Sequence, residues 1–220
     1  MAGVGAIAGV ILAGGLSRRM GGGDKGLIQV GGSSLLGRVV ACLSPQVSML
    51  LINANGDPAR FRTFGLPIAP DPVSGFVGPL AGVLAGLHWA ASREADARPT
   101  HIVTASTDTP FLPDDLVERL IAAREAADSD IVLARSDDGL HPVIGLWPVA
   151  LAADLETALA HGVRKVLDWT SRHRVTEASF PLRQIAGQVV DPFFNANTPD
   201  DIAVVERLLG MASDWQGSRD

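Results

Sequence analysis

One cysteine in 220 residues leaves no disulfide framework to staple the chain. That residue, Cys42, sits in an apolar run at 39–43 and reads as a buried core thiol, not a ligand or nucleophile. Positive charge is also short. Against 24 Asp and Glu stand 18 Lys and Arg, a net charge of −6, so no broad basic face exists to neutralise a nucleic-acid duplex. Aromatics make up 5% and are not interleaved with basic residues, which removes a single-strand stacking surface too; most of them read as core. No apolar run reaches the length of a membrane span. The opening MAGVGAIAGVILAGGL has the hydrophobicity of an export signal, but its basic pair Arg18-Arg19 follows the apolar run instead of preceding it. These absences predict a soluble cytoplasmic protein, a monomer by default, with no nucleic-acid and no membrane partner. Any phosphate chemistry must be local.

What is present is an α/β rhythm. Residues 6–12 form a short β-branched run ending in glycine, as expected of a strand buried on both faces of a parallel sheet. A long glycine loop follows, then a helix capped by Ser33 or Ser34 and running to about Leu43, and a second buried strand at 47–52. An extended piece ends at Asp71, an alanine-rich helix runs to about Arg93, and a strand at 100–105 delivers Thr107-Asp108-Thr109-Pro110. Asp114 opens a helix and residues 130–134 another strand. The fold class expected is a single-domain, Rossmann-like, mostly parallel doubly wound sheet with helices on both faces. From about Arg135 the pattern changes to a turn, the run 141–147, a helix from Val149, a basic helix around 164–172 and a strand near Val175, which predicts a small antiparallel extension over one end of the sheet. Thr198, Pro199 and Asp201 start a last helix through Leu209. One domain over 1–210 is expected, with 211–220 a disordered tail.

The glycine loop carries the chemistry. Gly14, Gly15, Gly21, Gly22 and Gly23 lie beyond the carboxyl end of the first strand, where open α/β sheets bind ligands and where bare backbone N–H groups can wrap an anion. Arg18, Arg19 and Lys25 add charge that suits phosphate oxygens. A P-loop is excluded because Lys25 stands between Asp24 and Gly26, and a dinucleotide-binding turn because this loop is over twice as long. A nucleoside triphosphate loop of another type remains, against a floppy surface loop with incidental charges. Asp108, closing a buried strand, can hold Mg²⁺ against triphosphate oxygens or simply cap the next turn. Asn53 and Asp71 sit at strand ends on the ligand side; by itself Asn53 reads as a turn residue of Asn53-Ala54-Asn55-Gly56. His141, before Pro142, reads as a structural hydrogen-bonding residue or a contact to a second substrate, and stays outside the catalytic set. Arg164, Lys165, Arg172 and Arg174 make either a seat for a second anionic substrate or a solvated helix face.

Leu12-Ala13-Gly14-Gly15-x-Ser17-x-Arg19-Met20-Gly21, followed by Asp24-Lys25, resembles the signature loop of nucleotidyltransferases of the nucleotide-diphospho-sugar transferase fold. Within that fold the chain is most similar to the molybdenum cofactor guanylyltransferase family, and the LAGG form favours the guanylyl over the cytidylyl branch. Asp71, Gly78-Pro79-Leu80-Ala81-Gly82, Asp108-Thr109-Pro110, His141-Pro142 and Phe194-Asn195-Ala196-Asn197-Thr198-Pro199 follow in the family's order, so the likeness spans the chain to about Leu209. The chain departs from the pattern at Arg164-Lys165, where the family often has two arginines.

The resemblance implies transfer of GMP from GTP to the terminal phosphate of molybdopterin, with or without molybdenum, and release of pyrophosphate. It implies a GTP site of Leu12, Ala13, Gly14, Gly15, Lys25, Asn53, Asp71, Gly78, Leu80, Gly82 and Asp108. Arg19, Lys25 and Asp108 would be catalytic, with Asp108 the Mg²⁺ ligand. Arg164, Lys165, Asn195 and Asn197 would lie on the molybdopterin side, the last two sharing one face if extended. Molybdoenzyme chaperones and other molybdenum cofactor enzymes are further partners it suggests. The rivals are a nucleotidyltransferase of another specificity, passing CMP to molybdopterin or a nucleotide to a sugar phosphate, and a non-catalytic molybdopterin or nucleotide carrier.

Overall fold

The computed structural model describes residues 6–14, 24–73 and 78–217, with backbone alone over 211–217. Strand β1 (Ile7–Leu12) pairs in parallel with β4 (Met49–Asn53) on one side and β6 (His101–Ser106) on the other. Its residues alternate between two cores. Ile7 and Ile11 face one, where α1 (Leu35–Leu43) and α3 (Leu116–Ala127) pack; Ala8 and Val10 face the other, under α2 (Pro79–Ala91), α4 (Ala152–Ala160) and α5 (Val166–Thr170). A strand apolar on both sides must be covered on both sides, and the six-residue run IAGVIL is covered in this way.

The main sheet has seven strands in the order β5-β4-β1-β6-β8-β7-β9, where β5 is Ile68–Ala69, β7 Ile131–Ser136, β8 Gly139–Pro148 and β9 Val175–Ser179. Every strand but β8 runs the same way. The chain goes from β1 to β4 and β5 on one side, then crosses back by α2 to β6 on the other. The strand order therefore reverses around β1, and a crevice forms beyond its carboxyl end.

The expected α/β architecture is present, and its antiparallel part divides in two. β8 does not lie over an end of the sheet; it is inserted between β6 and β7, because the tight turn after β7 sends the chain straight back along that strand. Two small hairpins make up the rest: β2 (Gln29–Val30) with β3 (Ser33–Ser34), and β10 (Arg183–Ile185) with β11 (Gln188–Val190).

Two of the expected caps form, whereas α3 begins at Leu116 behind Asp115, with no side-chain cap, and not at Asp114. Ser34 accepts from the Gly37 amide to start α1. Thr198 and Asp201 exchange backbone-to-side-chain bonds of 3.2 and 2.8 Å to start α6 (Pro199–Gly217). That helix runs on past Leu209 to Gly217, since a single Gly210 costs only about 1 kcal/mol and no proline follows. Val205 and Leu208 of α6 join Val30, Leu35, Val190 and Ala196 in a third cluster, which draws the 195–197 segment towards the chain just after Lys25. Cys42 is half-buried and donates to the Leu112 carbonyl at 3.3 Å; burial, with Asp114 nearby, pushes its thiol up to about 12. It is unreactive, as a structural thiol should be.

Candidate active site

The carboxyl ends of β1, β4 and β6 are tied together before any ligand enters. The amide of Ala13 donates to the Asn53 carbonyl at 2.8 Å, and that of Thr107 to the Leu12 carbonyl at 3.4 Å. Leu12, Gly14, Asn53, Asp71, Gly78 and Gly82 line a cleft of about 300 Å³, completed by Pro79, Ser106 and Val143. The first turn of α2 borders it. Gly82 is required there by closeness: a Cβ would stand 2.3 Å from Asn53 Oδ1 and 2.7 Å from Leu12 Cδ2. Ala13 and Leu80 send their side chains into the two cores, so only their backbone can serve a ligand.

Asp71 is held by amides. Its Oδ1 accepts from Asn53 Nδ2 at 3.0 Å and its Oδ2 from Asn55 Nδ2 at 2.7 Å, while its own N–H donates to Asn55 Oδ1 at 2.9 Å. All the donors are neutral amides, and together they fix the orientation of the carboxylate.

Asp108 is held differently. Lys25 Nζ lies 2.8 Å from Oδ2, and the Ser106 hydroxyl donates to Oδ1 at 2.5 Å. The same ammonium donates to Asn197 Oδ1 at 2.6 Å. Lys25 and Asp108 are 14% and 20% exposed at the side chain, enough shelter for their charges to count and enough opening for a substrate. Segments 83 and 172 residues apart in sequence thus converge on one cation. The Ala196 amide donates to the Asp108 carbonyl at 2.9 Å and holds the 195–197 segment against the end of β6.

The sequence matches the MobA-like NTP transferase domain over residues 9–175, which takes in the cleft, Lys25 and Asp108. The chain belongs to the MobA-like NTP transferase family. Among curated relatives, the molybdenum cofactor guanylyltransferase of Bradyrhizobium sp. (strain ORS 278) is 51% identical over 207 residues, 94% of each chain. The enzyme of the same name from Rhodopseudomonas palustris (strain BisB5) is 53% identical over 200 residues, 90% of this chain and 92% of its own. Among solved structures, molybdopterin-guanine dinucleotide biosynthesis protein A from Archaeoglobus fulgidus superposes with a TM-score of 0.69 at 26% identity, over 92% of this chain and 98% of its own. The chain is accordingly a nucleotidyltransferase.

Not every expected residue of this MobA-like enzyme falls in the cleft. Gly15 and Arg19 lie outside the described residues. Arg164 and Lys165 precede the short helix α5 and do not stand on a longer basic helix. The Arg164 guanidinium turns back towards the end of α4, donating at 2.8 Å to the carbonyl of Leu159 in its last turn and to that of Val163 in the loop beyond. Its backbone carbonyl still passes near the cleft, 3.6 Å from where a Cβ on Gly78 would sit. Asn195 and Asn197 do not form an extended pair: the Asn197 amide closes a tight turn on the Asn195 carbonyl at 3.0 Å, and Ala196 between them is buried. His141 bonds the Ser136 hydroxyl through Nε2 at 2.7 Å and packs at a tilt against Phe193, and burial lowers its pKa.

Two contributors escape a reading of the sequence. Asn55 looks like a turn former in Asn-Gly, yet it clamps Asp71. Ser106 is one small residue at a strand end, and only its bond to Asp108 gives it meaning.

Proposed function

We propose that this chain transfers GMP from GTP to the terminal phosphate of molybdopterin, releasing pyrophosphate and forming molybdopterin guanine dinucleotide. The observation that carries the reading is the meeting of Lys25, Asp108 and Asn197 next to the cleft that ends at Asp71. The half-identical relatives named molybdenum cofactor guanylyltransferase support the choice of nucleotide and acceptor.

In such a transfer an oxygen of the acceptor phosphate bonds to the α-phosphorus of GTP while the bond to the bridging oxygen breaks, and the electron pair leaves with pyrophosphate. A phosphate monoester is already ionised at neutral pH, so no general base is needed, which agrees with a cleft that has no histidine among its described lining residues. What the chain must supply is position and positive charge. Lys25, joined by Arg19, neutralises the triphosphate, and the backbone at Leu12, Ala13, Gly14 and Gly15 cradles it. Asn53 and Asp71 hold the nucleoside part, Asp71 as a fixed acceptor for donors on base or ribose, with Gly78, Leu80 and Gly82 closing the wall. Asn195, Asn197 and Lys165 are the side chains proposed for the acceptor side, where Arg164 contributes only its backbone carbonyl, its guanidinium being bonded to the Leu159 and Val163 carbonyls.

Asp108 would hold a divalent cation. Among the described residues no group of three or more Asp, Glu, His or Cys gathers into a cage. One half-sheltered carboxylate amid hydroxyl and amide oxygens suits a hard cation that takes its other ligands from phosphate and water, and magnesium is the one we propose. Bound there, it would offset charge building on the phosphate oxygens. The product would pass to molybdoenzyme chaperones or other molybdenum cofactor enzymes in the cytoplasm; among the described residues no helix is long and apolar enough to cross a membrane.

The test is pyrophosphate release from GTP, CTP, UTP and ATP with molybdopterin as acceptor. Turnover with GTP alone is expected. Preference for CTP would replace the reading by a cytidylyl one, and GTP binding without turnover would leave a carrier.

A further inference from the structure

Arg60 enters none of the motifs above, yet two walls of the site meet on it. It lies in the 3-10 turn Pro58–Phe64, after β4. Its guanidinium forms an ion pair with Asp24, donates from Nη2 to the Asn55 carbonyl at 2.5 Å, and lies over the Phe61 ring with its central carbon 4.7 Å from the centroid. Gly56 makes the room: its φ is +83°, and a Cβ there would stand 3.0 Å from Arg60 Nη1. On one side, Asp24 is joined by its peptide bond to Lys25 and so to the Asp108 corner. On the other, Asn55 grips Asp71 at two points, 2.7 and 2.9 Å, and Asp71 bonds Asn53. A connected run of contacts thus leads from the phosphate corner to the far wall of the cleft. Against Asp24 the guanidinium makes a charge–charge contact and not a directed hydrogen bond, while Nη2 donates to the Asn55 carbonyl; its planar fork reaches both at once, which a compact ammonium would do only loosely.

We propose that Arg60 is a positioning residue for the nucleotide. It fixes the spacing between the corner at Lys25 and the wall at Asp71, so that a nucleoside triphosphate, which must touch both, finds them already assembled. The proposal rests on reading the cleft as a triphosphate site. It gives Arg60 no contact with substrate.

The experiment is equilibrium binding by calorimetry on the full chain, with GTP as one probe and inorganic pyrophosphate, which engages only the Lys25 corner, as the other. Arg60→Ala and Asp24→Asn are each expected to weaken GTP binding about tenfold, and the double variant no more than the stronger single, because both remove one shared link. Pyrophosphate affinity stays within about twofold, since one-ended ligands do not feel the spacing. Arg60→Lys restores part of the loss, and Arg60→Gln, which keeps most of the stem, serves if the alanine variant does not fold. GTP affinity unchanged in Arg60→Ala, losses that multiply in the double variant, or an equal loss for pyrophosphate would each overturn the proposal. A wild-type chain that prefers CTP defeats the guanylyl reading alone, and the comparison is then read with CTP. A wild-type chain that binds no nucleoside triphosphate defeats both.

Discussion

At its first residue β6 places His101, 7% exposed and bonded through Nδ1 to the Thr100 hydroxyl at 2.9 Å; at its last it places Ser106, which lines the cleft and bonds Asp108. Burial, with the charge of Arg124, pushes His101 down to about 4, so the amino end of the strand carries a neutral imidazole sealed in protein. The carboxyl end carries a carboxylate and an ammonium, paired and part-exposed. A polar group at the sealed end contributes to stability by staying uncharged. Charges at the open end are of use only while they can be exchanged for those of a substrate. The two carboxylates of the open end differ in turn: Asp71 is held by neutral amides and Asp108 by the Lys25 ammonium, so the proposed function asks recognition of the first and exchange of one cation for another of the second.

The comparison breaks first at Asp108. Asp108→Ala is expected to lower kcat by about 10³ or more, measured as pyrophosphate release, with the unfolding midpoint moving by only about a few degrees. Near-normal turnover in the purified variant would remove the metal role. Lys25→Ala comes next, with a loss of about 10² to 10³, and sharpens the contrast if added magnesium does not recover it. Asp71→Asn sets an NH₂ group against the amide of Asn53 or Asn55; it is expected to raise KM for GTP about tenfold and leave kcat less affected. An equal fall in kcat would show that the two carboxylates share one task.

His101 gives the smallest effect on activity and a clear one on stability. The unfolded chain takes up the proton near pH 6.5, whereas the folded chain holds out to about 4. Stability from this group is therefore whole above pH 6.5 and lost as pH falls towards 4, by up to about 3 kcal/mol. His101→Gln flattens that slope in urea unfolding series between pH 7 and 4. An unchanged slope would mean that other groups carry the acid response.

Much of this was legible in the linear chain, for local reasons. The run at 6–12 read as a doubly covered strand, Ser33 or Ser34 and Thr198 sat where helix caps belong, and Asp108 closed a strand on the ligand side. Less legible were the elements whose place depends on partners far along the chain. The run 141–147 has strand character, but nothing in its pattern says that it enters the sheet between β6 and β7. Arg164 carries charge that suits a substrate, and the carbonyls of Leu159 and Val163 claimed it. Asn55 and Arg60 resemble ordinary loop residues, because their bonds to Asp71 and Asp24 span 16 and 36 positions.

By itself the sequence determined the periodicities, the caps and the stock of chemical groups, since each rests on neighbours within a turn or a strand. The tertiary structure alone decided which groups touch: that Lys25 reaches Asp108 and Asn197, and that Asp71 is wedged between two asparagines. Contacts at such separations exist only once the sheet has brought its carboxyl ends side by side, and chain order carries no record of that distance.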